Sequence, residues 1–449
     1  MGAGSTGKKT LAWQFSSLFS DDIVIDLEAG SDCTIFTKGE KFDDILKAIF
    51  FLKNKDLRHK RTLIFLHEIQ NCPAAFAWFL DSANARLPFH IMASCSMRTP
   101  MVNAHLSNFK GKKTDILYIQ PFTFEEFLKS IGDETALEAF QEVPVPVYAY
   151  EKLLHYFHLY SLIGGMPEIV STYAATRQLT GLRTIYERLL SSMILQINRH
   201  TKGVKHCAIV EDTLQNSFPF AATRIKFNQF GNSRHRTREM GEAFRTLEQH
   251  LLLNLLYPST STHFAASMPD REKSPRLQLL DTGLVNYFSG IQKALFQSQD
   301  MNAIFEGQIA RQVVGQEILA SQSHGDWEGI RGSTVISEKL IMEGPPLQPI
   351  HFWVRDKAQS TAEVDFVIPF NDLLIPVSVK SGEPGRLRSL HQFIDLAPHA
   401  YAVRLYAGKL AIQQAQTLRG KKYYLLSLPY FLAGKITDHL KGFIRLTNG

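Results

Sequence analysis

At 449 residues the chain is longer than one hydrophobic core organises, so about two to four domains are expected. Its 45% hydrophobic and 20% charged residues exclude a disordered or fibrous protein, and apolar runs such as LLLNLLY from Leu251 fall far short of the ~18 residues that span a bilayer. The formal net charge of +6 permits contact with nucleic acid without demanding it.

The N-terminus has no apolar signal region, and Cys33, Cys72, Cys95 and Cys207 show neither pairing nor metal-ligand spacing, so a reducing cytoplasm is expected. Met1-Gly2 with Thr6 also satisfies a myristoylation pattern, but the same glycines serve a phosphate loop better. That loop is GAGSTGKKT. In G-x-x-x-x-G-K-[ST], backbone N–H groups and a helix N-terminus surround phosphates, the lysine reaches the outer ones and the hydroxyl ligates Mg²⁺. Gly2, Gly7 and Lys8 fit; Lys9 stands in the hydroxyl position, with Thr10 directly after it. Gly2, Gly4 and Gly7 also read as a dinucleotide fingerprint, with Asp26 or Glu28 as its acid, but that needs a strand in front of the loop.

DIVIDL from Asp22 reads as a buried strand and KFDDILKAIFFL from Lys41 as a helix. RTLIFL from Arg61, FHIMAS from Phe89 and DILYIQP from Asp115 read as three further strands, so a parallel, doubly covered sheet is expected. The second of these four strands delivers His67 and Glu68 at its C-terminal end. In nucleotide hydrolases an Asp here holds Mg²⁺ and the following Glu polarises water; Glu68 is present, whereas His67 replaces the Asp.

TFEEFL opens a helical half with a capping box from Thr123 and Glu126, and GGMP at Gly164 to Pro167 reads as a turn between helices. Arg224 to Arg245 carries six Lys/Arg against two Glu; Arg234, Arg236 and Arg238 are its candidate nucleic-acid contacts, with a solvated loop as the plainer reading. MPDREKSP, from Met268, is a loop before a final domain that mixes helix (IFEGQIARQVVGQEILA) with strands (HFWV, EVDFVI, LIPVSVK).

The chain resembles the prokaryotic AAA-type ATPases whose core is fused to a C-terminal domain of unknown function with a restriction-endonuclease-like fold. The resemblance runs through GAGSTGKKTL, IFLHEIQNCP, MASCS, YIQPFTFEEFL, YSLIGGMPE, LLDTGL, FEGQIARQVVGQE and EVDFVIPFNDLLIPVSVKSG. It implies an α/β fold: an AAA-type P-loop core over residues 1–125, a helical lid over 126–200, a winged-helix-like module over 201–267 and a nuclease-like α/β domain over 276–449. It places Ser96 at the polar sensor position and Lys112 where the family has an arginine. It further implies ATP as ligand, with Gly2, Gly4, Thr6, Gly7, Lys8, Lys9, Thr10 and Ser96 binding it and Glu68 as the catalytic carboxylate. An unknown protein partner and a homo-oligomer are compatible with it.

Three departures qualify the expectation. The family places a strand directly before the loop; here that first strand is missing, which predicts a truncated start. Lys9 and His67 remove both groups that would hold Mg²⁺, predicting weak or absent hydrolysis, and the Lys9 ammonium is a candidate substitute for the metal. In the C-terminal domain Asp365 and Lys380 match a PD-(D/E)xK nuclease, but the Glu position is Ser378. Glu306 or Glu317 on the preceding helix, or Glu363 on the Asp365 strand, is then the candidate second carboxylate; an Asp365–Lys380 ion pair without cleavage is the expectation. The alternatives to an ATP-binding protein are a non-enzymatic nucleic-acid-binding or scaffold protein and a metal-dependent nuclease.

Overall fold

Every residue of β2 (Thr62–His67) is buried, and this strand lies between β1 (Asp21–Asp26) and β3 (His90–Ala93) in a parallel three-stranded sheet. On β1, Ile23 and Ile25 alternate into a core built with α2 (Phe42–Leu52) and α3 (Pro73–Ser82), where Ile49, Phe50, Phe76 and Trp78 are buried. The other face carries Val24, Leu63 and Phe65; with Ala12, Trp13 and Ser16 of α1 (Lys8–Ser16) they line a cavity of about 280 Å³.

The computed structural model describes residues 1–28, 31–36, 41–58, 61–82, 85, 87–102, 116–264, 268–297, 307–323, 350–357, 360–380 and 387–448. They form a mixed α/β structure of two units, one holding Met1–Ile119 with Gln249–Leu251 and the other the remaining described residues from Gln120 onward. No helix among them is long and apolar enough to cross a membrane.

Two expectations fail in the first unit. Leu117 to Gln120, in the segment read as a strand from Asp115, form none. Between this segment and the end of β3 lie Met1 and Gly2, where Gly2 donates to the Cys95 carbonyl (3.1 Å) and Ile119 to that of Met1 (2.6 Å). A ladder this short does not sustain a strand, whatever the alternation of its side chains. Cys33 and Cys72, read as unpaired, are joined by a disulfide with their Cα atoms 5.8 Å apart. They are 39 residues apart in sequence. Each follows the C-terminal end of one of two neighbouring strands, and only that topology brings them together. The inference of a reducing compartment therefore loses its basis.

In the second unit α4 (Phe124–Ile131) begins with the expected capping box: Thr123 Oγ1 accepts from the Glu126 N–H (3.2 Å) and Glu126 accepts from the Thr123 N–H (2.8 Å). The Gly164 turn joins α5 (Tyr150–Ile163) to α6 (Pro167–Thr176). Gly165 N–H donates to Asp281 (2.6 Å), which also caps α7 (Thr282–Phe288) through the Leu284 N–H (3.0 Å). A β-carbon at Gly164 would collide with the Asp281 carboxylate, and one at Gly283 with the Ile163 carbonyl. GGMP and LLDTGL thus meet as a packing joint. Downstream, β4 (Leu253–Leu256) pairs antiparallel with β6 (Arg276–Leu279), and a mixed seven-stranded sheet has the order β11-β12-β10-β9-β8-β7-β5. Its members are β5 (Pro258–Ser259), β7 (His351–Val354), β8 (Glu363–Phe370), β9 (Leu373–Val379), β10 (Tyr401–Tyr406), β11 (Ala411–Gln416) and β12 (Lys422–Pro429).

Glu317, on α8 (Gln308–Ser323), accepts hydrogen bonds from the Tyr160 hydroxyl (2.6 Å) and the Phe124 N–H (3.0 Å), reinforcing the α4 cap from the far side of the core. Burial pushes its carboxyl up to about 7, the Tyr160 and Phe124 bonds opposing the rise. As pH rises from about 4.5 to 7 the unfolded chain releases this proton while the folded chain keeps it, so folding stability falls through that window, by on the order of 3 kcal/mol. Glu317→Gln keeps the acceptor and removes the ionisation. Urea unfolding at pH 5 and pH 8 should show a smaller drop in the variant than in the wild type; an equal drop would contradict this origin.

Candidate functional site

The opening loop curls because Ser5 (φ 62°) and Gly7 (φ 86°) both take the left-handed conformation, the arrangement that turns successive N–H groups towards one point. Gly7 caps α1 without a side-chain hydrogen bond, so the first-turn N–H groups of the helix have no intrahelical acceptor. Inside the curl the Ala3 carbonyl accepts from Thr6 Oγ1 (2.9 Å) and from Lys8 Nζ (2.7 Å). Gly2 and Gly4 are buried, and a β-carbon at Gly2 would collide with the Ile119 carbonyl while lying 2.9 Å from Thr6 Oγ1.

Lys8 Nζ also lies 3.8 Å from Glu68 Oε1, and both side chains are 7% exposed. The other Glu68 oxygen accepts from Gln70 Nε2 (2.6 Å) and from the Ser96 hydroxyl, and Gln70 Nε2 is 3.0 Å from Ser96 Oγ. Burial alone would raise the Glu68 carboxyl, but the Lys8 ammonium and these hydrogen bonds outweigh it and hold the group below its ordinary value. Burial lowers the Lys8 ammonium, against the pull of Glu68. The structure therefore joins Lys8, Glu68 and Ser96, residues far apart in sequence. Gln70 was missed, although its position two residues after Glu68 is the available signal. Ser94 was missed as well: its Oγ accepts from the Glu68 N–H (3.1 Å) and lies 3.0 Å from His67 Nδ1.

The residues at the two Mg²⁺-holding positions do not suit that ion. Lys9 turns to Asp26 (3.1 Å) in a partly exposed ion pair. His67 presents an imidazole, its pKa lowered by burial, where an oxygen ligand is needed. Thr10 is exposed and lines the cavity beside Lys9.

The C-terminal carboxylates are engaged differently from expectation. Asp365 accepts from the Val379 N–H (2.8 Å) and lies 3.3 Å from Ser378 Oγ, and no ion pair joins it to Lys380. Two backbone contacts hold Lys380 in place, its N–H donating to Leu405 (2.9 Å) and its carbonyl accepting from Tyr430. Glu363 pairs with Arg276, whose buried guanidinium stacks on Phe352 at 4.3 Å, and Glu317 is committed to the α4 cap. Glu306 and Lys112 lie outside the described residues. Arg234, Arg236 and Arg238 are exposed, and Arg238 pairs with Glu242 one helical turn on (2.9 Å).

Residues 1–128 match the AAA domain family, residues 154–295 a domain of unknown function (DUF8612), and residues 333–430 another domain of unknown function (DUF4143). No curated protein matches the chain. The matches support an AAA-type P-loop domain joined to C-terminal domains of unknown function.

Because Ser96 donates to an ionised, buried carboxylate, Ser96→Ala should lower stability at pH 7 by about 2 kcal/mol. The depressed folded value places this contribution above the usual carboxylate range, and it is lost as pH falls and Glu68 takes a proton in the folded protein. Chemical denaturation at pH 7 and pH 3.5 should therefore show the deficit shrinking at the lower pH. A deficit independent of pH would contradict the bond to an ionised Glu68.

Proposed function

We propose that the N-terminal domain binds a nucleoside triphosphate, ATP by resemblance, and hydrolyses it weakly or not at all. The carrying observation is the Lys8 ammonium held inside the curled loop, 2.7 Å from the Ala3 carbonyl and 3.8 Å from the ionised Glu68. In this reading the amides from Gly4 to Thr10 surround the phosphates, Lys8 leaves the Ala3 carbonyl to contact the outer ones, and Gly2 and Gly7 allow the close approach. Glu68 is the carboxylate that orients water, and Ser96 with Gln70 fixes its direction. A bound nucleotide would supply the phosphoryl bond. The chain's own contribution is to hold charge and exclude water around it.

With Lys9 drawn to Asp26 and an imidazole at His67, no step is assigned to a Mg²⁺ ion held by the protein. We read the helices followed by the β4–β6 pair as winged-helix-like and the seven-stranded sheet as a nuclease-like fold without cleavage. Asp365 faces a serine and a backbone amide where a second carboxylate would be required.

Titration calorimetry with ATP tests the reading on the full chain. Lys8→Met, which keeps the aliphatic stem, should weaken binding at least about tenfold by removing a buried cation from the loop. Glu68→Gln should retain binding and lose any residual turnover. Unchanged affinity in Lys8→Met, with the variant's melting transition intact, would contradict the site.

A further inference from the structure

On the α1 face of the sheet, Asp26 and His67 are direct register partners at the ends of β1 and β2, and Glu28 follows Asp26 by two residues. Neighbouring parallel strands point such partners the same way, and Glu28 lies in a bend just past β1, where its N–H donates to Asp26. The three side chains consequently converge: one ligand atom from each of Asp26, Glu28 and His67 lies within 4.8 Å of the others. We propose that this cluster, which takes in His67 at one of the two positions where a phosphate loop holds Mg²⁺, is a binding site for a divalent transition ion of the Zn²⁺ class, selected by a different donor set and independent of nucleotide.

The donor set selects the ion. One imidazole nitrogen with two carboxylates suits Zn²⁺ and its neighbours, whereas Mg²⁺ favours oxygen and water alone. Zinc bonds of ~2.1 Å in a tetrahedron put ligand atoms ~3.4 Å apart, so from separations of up to 4.8 Å the cluster closes by up to about 1.4 Å, a shift that rotation of the Asp26 and Glu28 side chains supplies. His67 is already oriented, because its Nδ1 lies 3.0 Å from Ser94 Oγ. With Nδ1–H donating to Ser94, the tautomer a bound metal requires, Nε2 is left for the ion. Ser94 is itself fixed by the Glu68 N–H at 3.1 Å. Asp26 Oδ1 accepts from the Glu28 N–H (3.0 Å), so Oδ2 is the oxygen offered to a cation. A cation is already there: Lys9 Nζ lies 3.1 Å from that same Oδ2. Lys9 is thus the intramolecular competitor that a metal ion displaces, and three protein ligands leave a fourth position for water or another oxygen donor.

Zn²⁺ titration of the full chain without nucleotide tests the site, with Co²⁺ absorption reporting coordination geometry. The wild type should take up one tight equivalent. Asp26→Asn at a half-buried position and Glu28→Gln at an exposed one should each weaken it at least about tenfold, and His67→Ala should abolish it. Lys9→Met should tighten it about tenfold, a gain that misfolding cannot produce. Only weak, multiple uptake in the wild type, or equal affinity in Asp26→Asn, would overturn the site, as would a Lys9→Met variant that binds no more tightly. Because no nucleotide is present, failure here leaves the nucleotide reading standing, and loss of ATP binding in Lys8→Met does not bear on the metal.

Discussion

A single buried charge pair organises the N-terminal domain. Glu68 and Lys8 come from different elements and reach each other in a place with little water, where an isolated carboxylate would be costly. The geometry offsets that cost with specific partners: the ammonium on one oxygen, Ser96 and Gln70 on the other. Lys8 opens α1, while Gln70 and Ser96 follow the C-terminal ends of the parallel strands β2 and β3, so helix and sheet together set the arrangement. Glu68 itself has a φ of 55°, an unfavourable conformation for a side-chain-bearing residue and one that redirects the chain straight after β2.

The same register explains why the neighbouring positions diverge from a magnesium site. His67 follows the strand's alternation to the α1 face, away from the buried Ile64 and Leu66, and there it meets Asp26 on the adjacent strand. Lys9, on the first turn of α1, finds Asp26 as its nearest counter-charge. The two substitutions are therefore coupled through one carboxylate. A lysine and a histidine at the metal positions form a polar edge joined to Asp26, while Lys8 pairs with Glu68.

Features governed by local chemistry were legible in the sequence. The capping box at Thr123 and Glu126, the Gly164 turn, the helix from Phe42 and the strands that carry Asp365 depend on periodicity and on residues a few positions apart. The glycine spacing of the opening loop was legible for the same reason, with Gly7 in the left-handed conformation that ends the curl. What escaped was non-local. The Cys33–Cys72 disulfide and the contact of Ser94 with His67 exist only because parallel strands align their ends. Glu317 looked like a spare carboxylate on a helix near a nuclease motif, and nothing local reveals that it caps α4 instead. Leu117 to Gln120 carry a strand's composition, but a strand also needs a neighbour of matching length.

The claim on which the functional reading depends is that the loop binds phosphate through Lys8 and backbone amides, without a protein-held magnesium ion. ATP affinity of the full chain, measured by calorimetry in Mg²⁺ and again in excess EDTA, tests it most directly. The predicted result is saturable binding in both, with dissociation constants within about threefold, since less than about 0.7 kcal/mol then rests on the ion. Binding that requires Mg²⁺, or that strengthens tenfold or more with it, would contradict the claim and return the ion to the loop.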